Sequence, residues 1–111
     1  MTLKWNHEEI VGWRFKQPRL SNVDPILGLT FFVSFGIEPY RIDPKTSREV
    51  KAGAAIVRIG YTNCSPKDHQ RAGAIADEIT MRLNLGEEYV GPKTITANAK
   101  KPMPSISAWF L

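Results

Sequence analysis

Alternating apolar and polar positions near the N-terminus predict two strands. Three apolar residues recur at every second position: Val11, Trp13 and Phe15. This is the period of a strand with one buried face, and Pro18 is expected to end it. The turn-forming residues over 19–25 predict a connection. A second strand follows over 26–35, and its apolar face consists of Leu29, Phe31, Val33 and Phe35.

The middle of the chain predicts a third strand in two pieces. Gly36 and Pro39 are expected to break the preceding strand, because neither residue suits a strand interior. After a polar turn, strand pattern appears near 48–51 and resumes over 56–62. A β-bulge near Gly53 is the simplest way to join the two pieces.

One amphipathic helix is predicted over about 66–84. Ser65 is a good N-cap, Pro66 suits the first helical position, and Asp68 lies near the positive end of the helix dipole. Gly86 supplies a left-handed residue just after the end. Apolar residues at helical spacing form one stripe: Ala72, Ile75, Ala76, Ile79 and Leu83.

The remaining chain predicts a last short strand within 89–97, interrupted at Gly91 and Pro92. Residues 102–111, here the C-terminal segment, carry two prolines and are expected to form an extended arm. The prediction is therefore an α+β fold with a mostly antiparallel sheet of about four strands and one helix on one face. Residues 1–101 form a single domain in this prediction.

Length and composition place the chain among ordinary globular domains. Its 111 residues suffice for one core, and 42% hydrophobic with 23% charged residues is close to the globular average. A lone cysteine, Cys64, favours a reducing compartment, and the N-terminus lacks the apolar stretch of a signal peptide. We expect no membrane association or secretion, and a cytoplasmic protein, in a host cytoplasm or a virion if the protein is viral.

Charge leaves nucleic-acid binding open as an alternative. Fifteen Lys and Arg against eleven Asp and Glu give a net charge of +4. This value permits weak attraction to nucleic acid without requiring it. The nearest approach to a basic cluster predicts Arg14, Lys16 and Arg19 as the contacts.

Catalytic and metal-binding residues are scarce. The chain has two histidines, His7 and His69, and one cysteine, so neither a hydrolytic triad nor a four-ligand zinc site is indicated. No glycine-rich nucleotide-binding motif stands between a strand and a helix. We expect no enzyme activity, no cofactor and no metal.

The strand-to-helix unit over 56–61 and 72–79 resembles the corresponding unit of small tailed-phage connector and tail-terminator proteins. In that family a strand leads into an alanine-rich helix across a sheet. The family opens with a helix, however, where this chain shows the strand of 11–15. The resemblance therefore assigns no family.

The leading function hypothesis is a non-catalytic structural or assembly protein, of virion type or from another multi-subunit complex. It would form homo- or hetero-oligomers by docking its terminal segments on partner chains. The apolar tip of the C-terminal segment should dock on its own domain or on a neighbour. Candidate contacts are Met103, Ile106, Trp109, Phe110 and Leu111. The alternatives are a small basic nucleic-acid-binding module and an inhibitor or adaptor of a single host protein.

Overall fold

One sheet and one long helix make up most of the described part of the chain. The computed structural model describes residues 10–15, 19–24, 29–62 and 65–111, and of residues 19–24 and 29–32 only the backbone is described. The elements in chain order are β1 (Gly12–Phe15), β2 (Arg19–Asp24), β3 (Leu29–Ile42), β4 (Glu49–Lys51), β5 (Val57–Thr62), α1 (Pro66–Asn84), β6 (Thr94–Thr96) and a short 3₁₀ helix (Ile106–Trp109).

The long strand β3 organises the sheet. β1 and β2 pair with one side of β3, while β4 and β5 pair with its other side, all four antiparallel. β6 then adds to β5 in parallel and is the last strand on that side. The predicted α+β fold, with a mostly antiparallel sheet and one helix packed on it, is confirmed. Within the described ranges the sheet has six strands, more than the sequence predicts.

One of the two additional strands is β2, which occupies the segment predicted as a connection. The other arises because the two pieces of the predicted third strand are the separate strands β4 and β5. Arg19 pairs with Ser34 and Asp24 pairs with Leu29, although the register shifts twice between these pairs. Such irregularities let turn-forming residues enter a sheet. The prediction of a turn over 19–25 is therefore wrong for residues 19–24, because long-range pairing with β3 overrides their local preference.

The predicted break at Gly36 and Pro39 is also wrong, because β3 continues through both residues to Ile42. The Ala52 N–H donates to the Pro39 carbonyl, at 2.9 Å. The backbone carbonyl of Pro39 therefore points toward residues 52–56. These residues separate β4 from β5, which both pair with the same side of β3. A proline is tolerated there, since no ladder bond needs its missing N–H. A β-bulge was predicted near Gly53, and the structure has a longer interruption there, because residues 52–56 lie opposite only Glu38 and Pro39 of β3.

Helix α1 confirms the predicted bounds, cap and buried stripe. The Ser65 hydroxyl accepts a hydrogen bond from the Asp68 N–H at 3.2 Å, and Gly86 ends the helix with a φ of +90°. The buried helix residues are those of the predicted stripe: Ala72, Ile75, Ala76, Ile79 and Leu83. They pack on the inward face of the sheet, which consists of Val33, Phe35, Ile37, Val57, Ile59, Tyr61 and Ile95.

The C-terminal end of α1 closes the outer edge of β1. The Trp13 N–H donates to Asn84 Oδ1 at 2.8 Å, and Asn84 Nδ2 donates to the Trp13 carbonyl at 3.1 Å. One side-chain amide thus occupies both outward backbone groups of Trp13. Because the helix ends at this level, it leaves Val11 uncovered, and Val11 is 59% exposed. Its predicted place on the buried face is wrong, whereas Trp13 and Phe15 pack against the core.

Candidate functional site

The C-terminal segment folds back on its own chain, so an extended arm is not confirmed. Ile106 is 3% exposed and belongs to the main core, and the rings of Trp109 and Phe110 pack against that core. Backbone hydrogen bonds anchor the end of the segment: Val90 N–H to Trp109 O at 2.7 Å and Leu111 N–H to Glu88 O at 3.0 Å. Trp109 and Phe110 of the apolar tip are therefore docked in cis, on their own domain.

Met103 and Leu111 complete the set of predicted arm contacts, and both remain accessible. Their side chains are 46% and 79% exposed. Met103 Sδ lies 3.3 Å from Arg71 Nη1. The structure brings Trp109 and Phe110 together around Tyr89, with ring centroids 6.4 and 5.4 Å from that residue.

Gly91 makes room for Trp109. A Cβ atom at position 91 would lie 2.5 Å from Trp109 Cγ, which is closer than nonbonded atoms approach. Beside it, the Tyr89 hydroxyl donates to the Pro92 carbonyl. Burial favours the neutral phenol and raises the pKa of Tyr89 to about 12. This part of the fold is therefore held by close packing as well as by hydrogen bonds.

A groove lies between α1, β6 and the C-terminal segment, and we call it the β6 groove. Its cavity has a volume of about 220 Å³. Apolar or proline residues form most of its lining: Ile75, Pro92, Ile95, Ala97, Pro102, Pro104 and Trp109. The polar lining residues are Arg71, Thr94, Thr96, Asn98 and Lys101.

The β6 groove runs beside an open strand edge. The Arg58 N–H donates to Lys93 O at 2.9 Å, and the Ala97 N–H donates to Gly60 O at 2.8 Å. Backbone groups alternate in direction along a strand, so Thr94 and Thr96 point theirs away from β5. No described residue hydrogen-bonds to these outward groups, and both threonines are exposed. The edge can therefore accept another strand.

The charged lining of the β6 groove is positive. Arg71 Nη2 donates to the Ala99 carbonyl at 3.4 Å, and its other described polar neighbour is the Met103 sulfur. The Ala99 carbonyl and the Met103 sulfur are uncharged acceptors, and both hydrogen bonds are long. Within residues 65–111, as in the rest of the described chain, no carboxylate lies within ion-pair distance of Arg71 or Lys101. The two cations thus remain available to an anionic group.

On the opposite sheet face, the nucleic-acid candidate Arg14 is held in ion pairs. Its guanidinium lies 3.7 Å from Glu38 Oε1 and 3.2 Å from Glu49 Oε2, and it sits over the Tyr40 ring. Lys51 Nζ lies 3.9 Å from Glu38 Oε2. Glu38 is 6% exposed, so its partners neutralise a buried charge. This cluster mixes both signs instead of presenting a positive surface.

The other two nucleic-acid candidates are not described at their side chains. Lys16 lies outside the described residues, and Arg19 begins β2, of which only the backbone is described. The clustering of Arg14, Lys16 and Arg19 therefore stays a prediction.

Candidate catalytic residues remain dispersed in the described part of the chain. The His69 ring contacts the rings of Phe35 and Tyr61, with centroids 5.7 and 5.0 Å apart. Burial raises the pKa of Tyr61. Cys64 lies outside the described residues. Among the residues that are described, no group of three or more His, Cys, Asp or Glu side chains has the arrangement of a metal site.

Comparison with known proteins identifies no relative, so function is argued from the geometry of the β6 groove. No family model, curated protein or solved structure matches this chain. Nor does any helix within the described ranges have the length and apolar character needed to cross a membrane. The β6 groove combines an apolar cavity, two available cations and an open strand edge.

Proposed function

We propose that this chain is a non-catalytic assembly or adaptor protein and that it binds a partner protein at the β6 groove. The observation that supports this most is the open edge at Thr94 and Thr96 beside an apolar cavity. Sheet edges of this kind bind extended peptides, because the backbone supplies hydrogen bonds and a neighbouring pocket receives a side chain.

The proposal changes the role expected for the C-terminal segment. Instead of reaching for another chain, the segment forms one wall of the β6 groove through Pro102, Pro104 and Trp109. Its docking in cis supports a preformed binding surface, which lowers the ordering cost of association. Assembly then depends on the edge of the sheet and not on a free tail.

A selection with displayed random peptides tests this function directly. We expect the full chain to enrich peptides that bind the wild type and fail to bind Thr96→Pro. Proline removes the outward N–H of this residue while leaving the inward pairing of β6 intact. Thr96→Val is the matched control, since it removes the hydroxyl, keeps the N–H and should bind normally.

Two outcomes would refute the proposed function. One is a failure to enrich any peptide above a background selection against an unrelated protein. The other is equal binding of the enriched peptides to the wild type and to Thr96→Pro, provided that the variant melts cooperatively.

Nucleic-acid binding receives less support from the geometry. Arg14 and Lys51 share one sheet face, but Glu38 forms ion pairs with both of them and Glu49 forms one with Arg14. Phosphate binding would require breaking these pairs or tolerating their negative charge. An inhibitor or adaptor of a single host protein remains compatible with the proposal, since it would use the same groove.

A further inference from the structure

We infer that the β6 groove binds an extended peptide that carries a carboxylate and belongs to a different protein. This inference rests on the proposed function and adds the chemistry of the ligand. Three features of the groove support it: the size of the cavity, the positive charge of its lining, and the like charges that would meet if the β6 edges of two copies paired with each other.

The cavity is suited to a side chain. Its volume of about 220 Å³ is below the roughly 300 Å³ at which pockets for small molecules and cofactors begin. The outward backbone of Thr94 and Thr96 lies directly beside it, so a peptide paired with β6 would direct alternate side chains toward the cavity. An extended chain can use both features at once.

The charged lining selects a carboxylate. Arg71 contributes a planar set of N–H donors, which suits a carboxylate through two parallel hydrogen bonds. Its present partners, the Ala99 carbonyl and the Met103 sulfur, are neutral and lie at 3.4 and 3.3 Å. Lys101 adds a second positive charge, and no acidic residue lines the groove. An acidic peptide side chain or a peptide C-terminus supplies the missing charge.

A second copy of the chain is a poor occupant of the same edge. Pairing β6 with β6 would bring together two grooves that each carry Arg71 and Lys101 and no carboxylate. Lys93 lies immediately before β6 in both copies and adds further positive charge. Like charges at a strand edge oppose self-pairing. The charge of this edge therefore favours a different, acidic strand.

Peptides from the display selection provide the probe. Each enriched sequence is synthesised in two forms, with its carboxylates intact and with Asp→Asn, Glu→Gln and C-terminal amide replacements. We expect neutralisation to weaken binding to the full chain by about 10-fold or more, as loss of a charge-assisted hydrogen bond predicts. Fluorescence polarisation at two salt concentrations gives the affinities.

Substitutions in the protein give the reciprocal test. Arg71→Gln and Lys101→Gln should each weaken the carboxylate form of the peptide and leave the neutral form unchanged. Lys67→Gln is the matched control, because it removes the same charge from an exposed residue of α1 that does not line the groove. Lys101→Gln also covers the case in which Arg71→Gln disturbs the C-terminal segment.

The outcomes separate this inference from the proposed function. If Thr96→Pro abolishes binding but neutral peptides bind as well as charged ones, the inference is overturned and the proposed function stands. If light scattering shows a dimer that Thr96→Pro dissociates, a second copy occupies the edge and the inference is again overturned. If peptide binding is insensitive to Thr96→Pro, the proposed function and the inference about the carboxylate are both refuted.

Discussion

Replacing Ile106 by alanine tests whether the C-terminal segment is part of the domain's own core. The side chain is 3% exposed, so the change removes three buried carbon atoms. At about 0.8 kcal/mol per buried carbon, the transfer term is about 2.4 kcal/mol. A residual cavity adds to this, although a site near a chain end can relax, so we expect a loss of about 2–3 kcal/mol.

Thermal and denaturant melts measure this loss. For a chain of this size a destabilisation of 1 kcal/mol lowers Tm by about 4 °C, so Ile106→Ala should melt about 8–12 °C lower. Leu111→Ala is the matched control, because Leu111 is 79% exposed and should change stability by about 0.5 kcal/mol or less. An unchanged Tm for Ile106→Ala, together with dissociation of an oligomer, would refute docking in cis and restore the free arm.

Three further predictions concern the core and the packing around Tyr89. Ile79→Ala should lose about 2–5 kcal/mol, since Ile79 is fully buried in α1, whereas Met81→Ala, at a 55% exposed position, should melt almost normally. Gly91→Ala should displace the ring of Trp109, visible as a lower Tm and a red shift of the protein's tryptophan fluorescence, to which Trp109 contributes as one of three tryptophans. Because the pKa of Tyr89 is raised to about 12, its contribution to stability is complete below pH 10 and is lost between about pH 10 and 12. The loss in Tm from pH 9 to pH 11 should therefore be smaller in Tyr89→Phe than in the wild type.

The helix was predictable because its signals are local. The cap at Ser65, the glycine at 86 and the spacing of the apolar stripe all lie within the helix or next to it, and the structure confirms each of them. The strands were less predictable because their pairing is not local. The local sequence of residues 19–24 predicts a turn, but pairing with β3 makes them a strand. Pro39 predicts the end of a strand, but β3 continues through it because the facing residues 52–56 need no hydrogen bond from its nitrogen.

The β6 groove could be predicted only in part. Thr94, Ile95 and Thr96 show the alternation of a half-buried strand, so the strand itself was expected. Arg71 and Lys101 are thirty positions apart and meet only because the C-terminal segment folds back over α1. A docked apolar tip was one of two possibilities at the sequence level, and no local pattern distinguishes docking in cis from docking in trans.

The double hydrogen bond between Asn84 and Trp13 has a consequence for solubility at high concentration. A sheet with two accepting edges can add copies of itself head to tail without limit and grow into a fibre. At Trp13 both outward backbone groups are already occupied by one side-chain amide. A β6 edge of one molecule therefore finds no free backbone donor or acceptor at Trp13 on the next, and strand addition onto β1 is blocked at this residue.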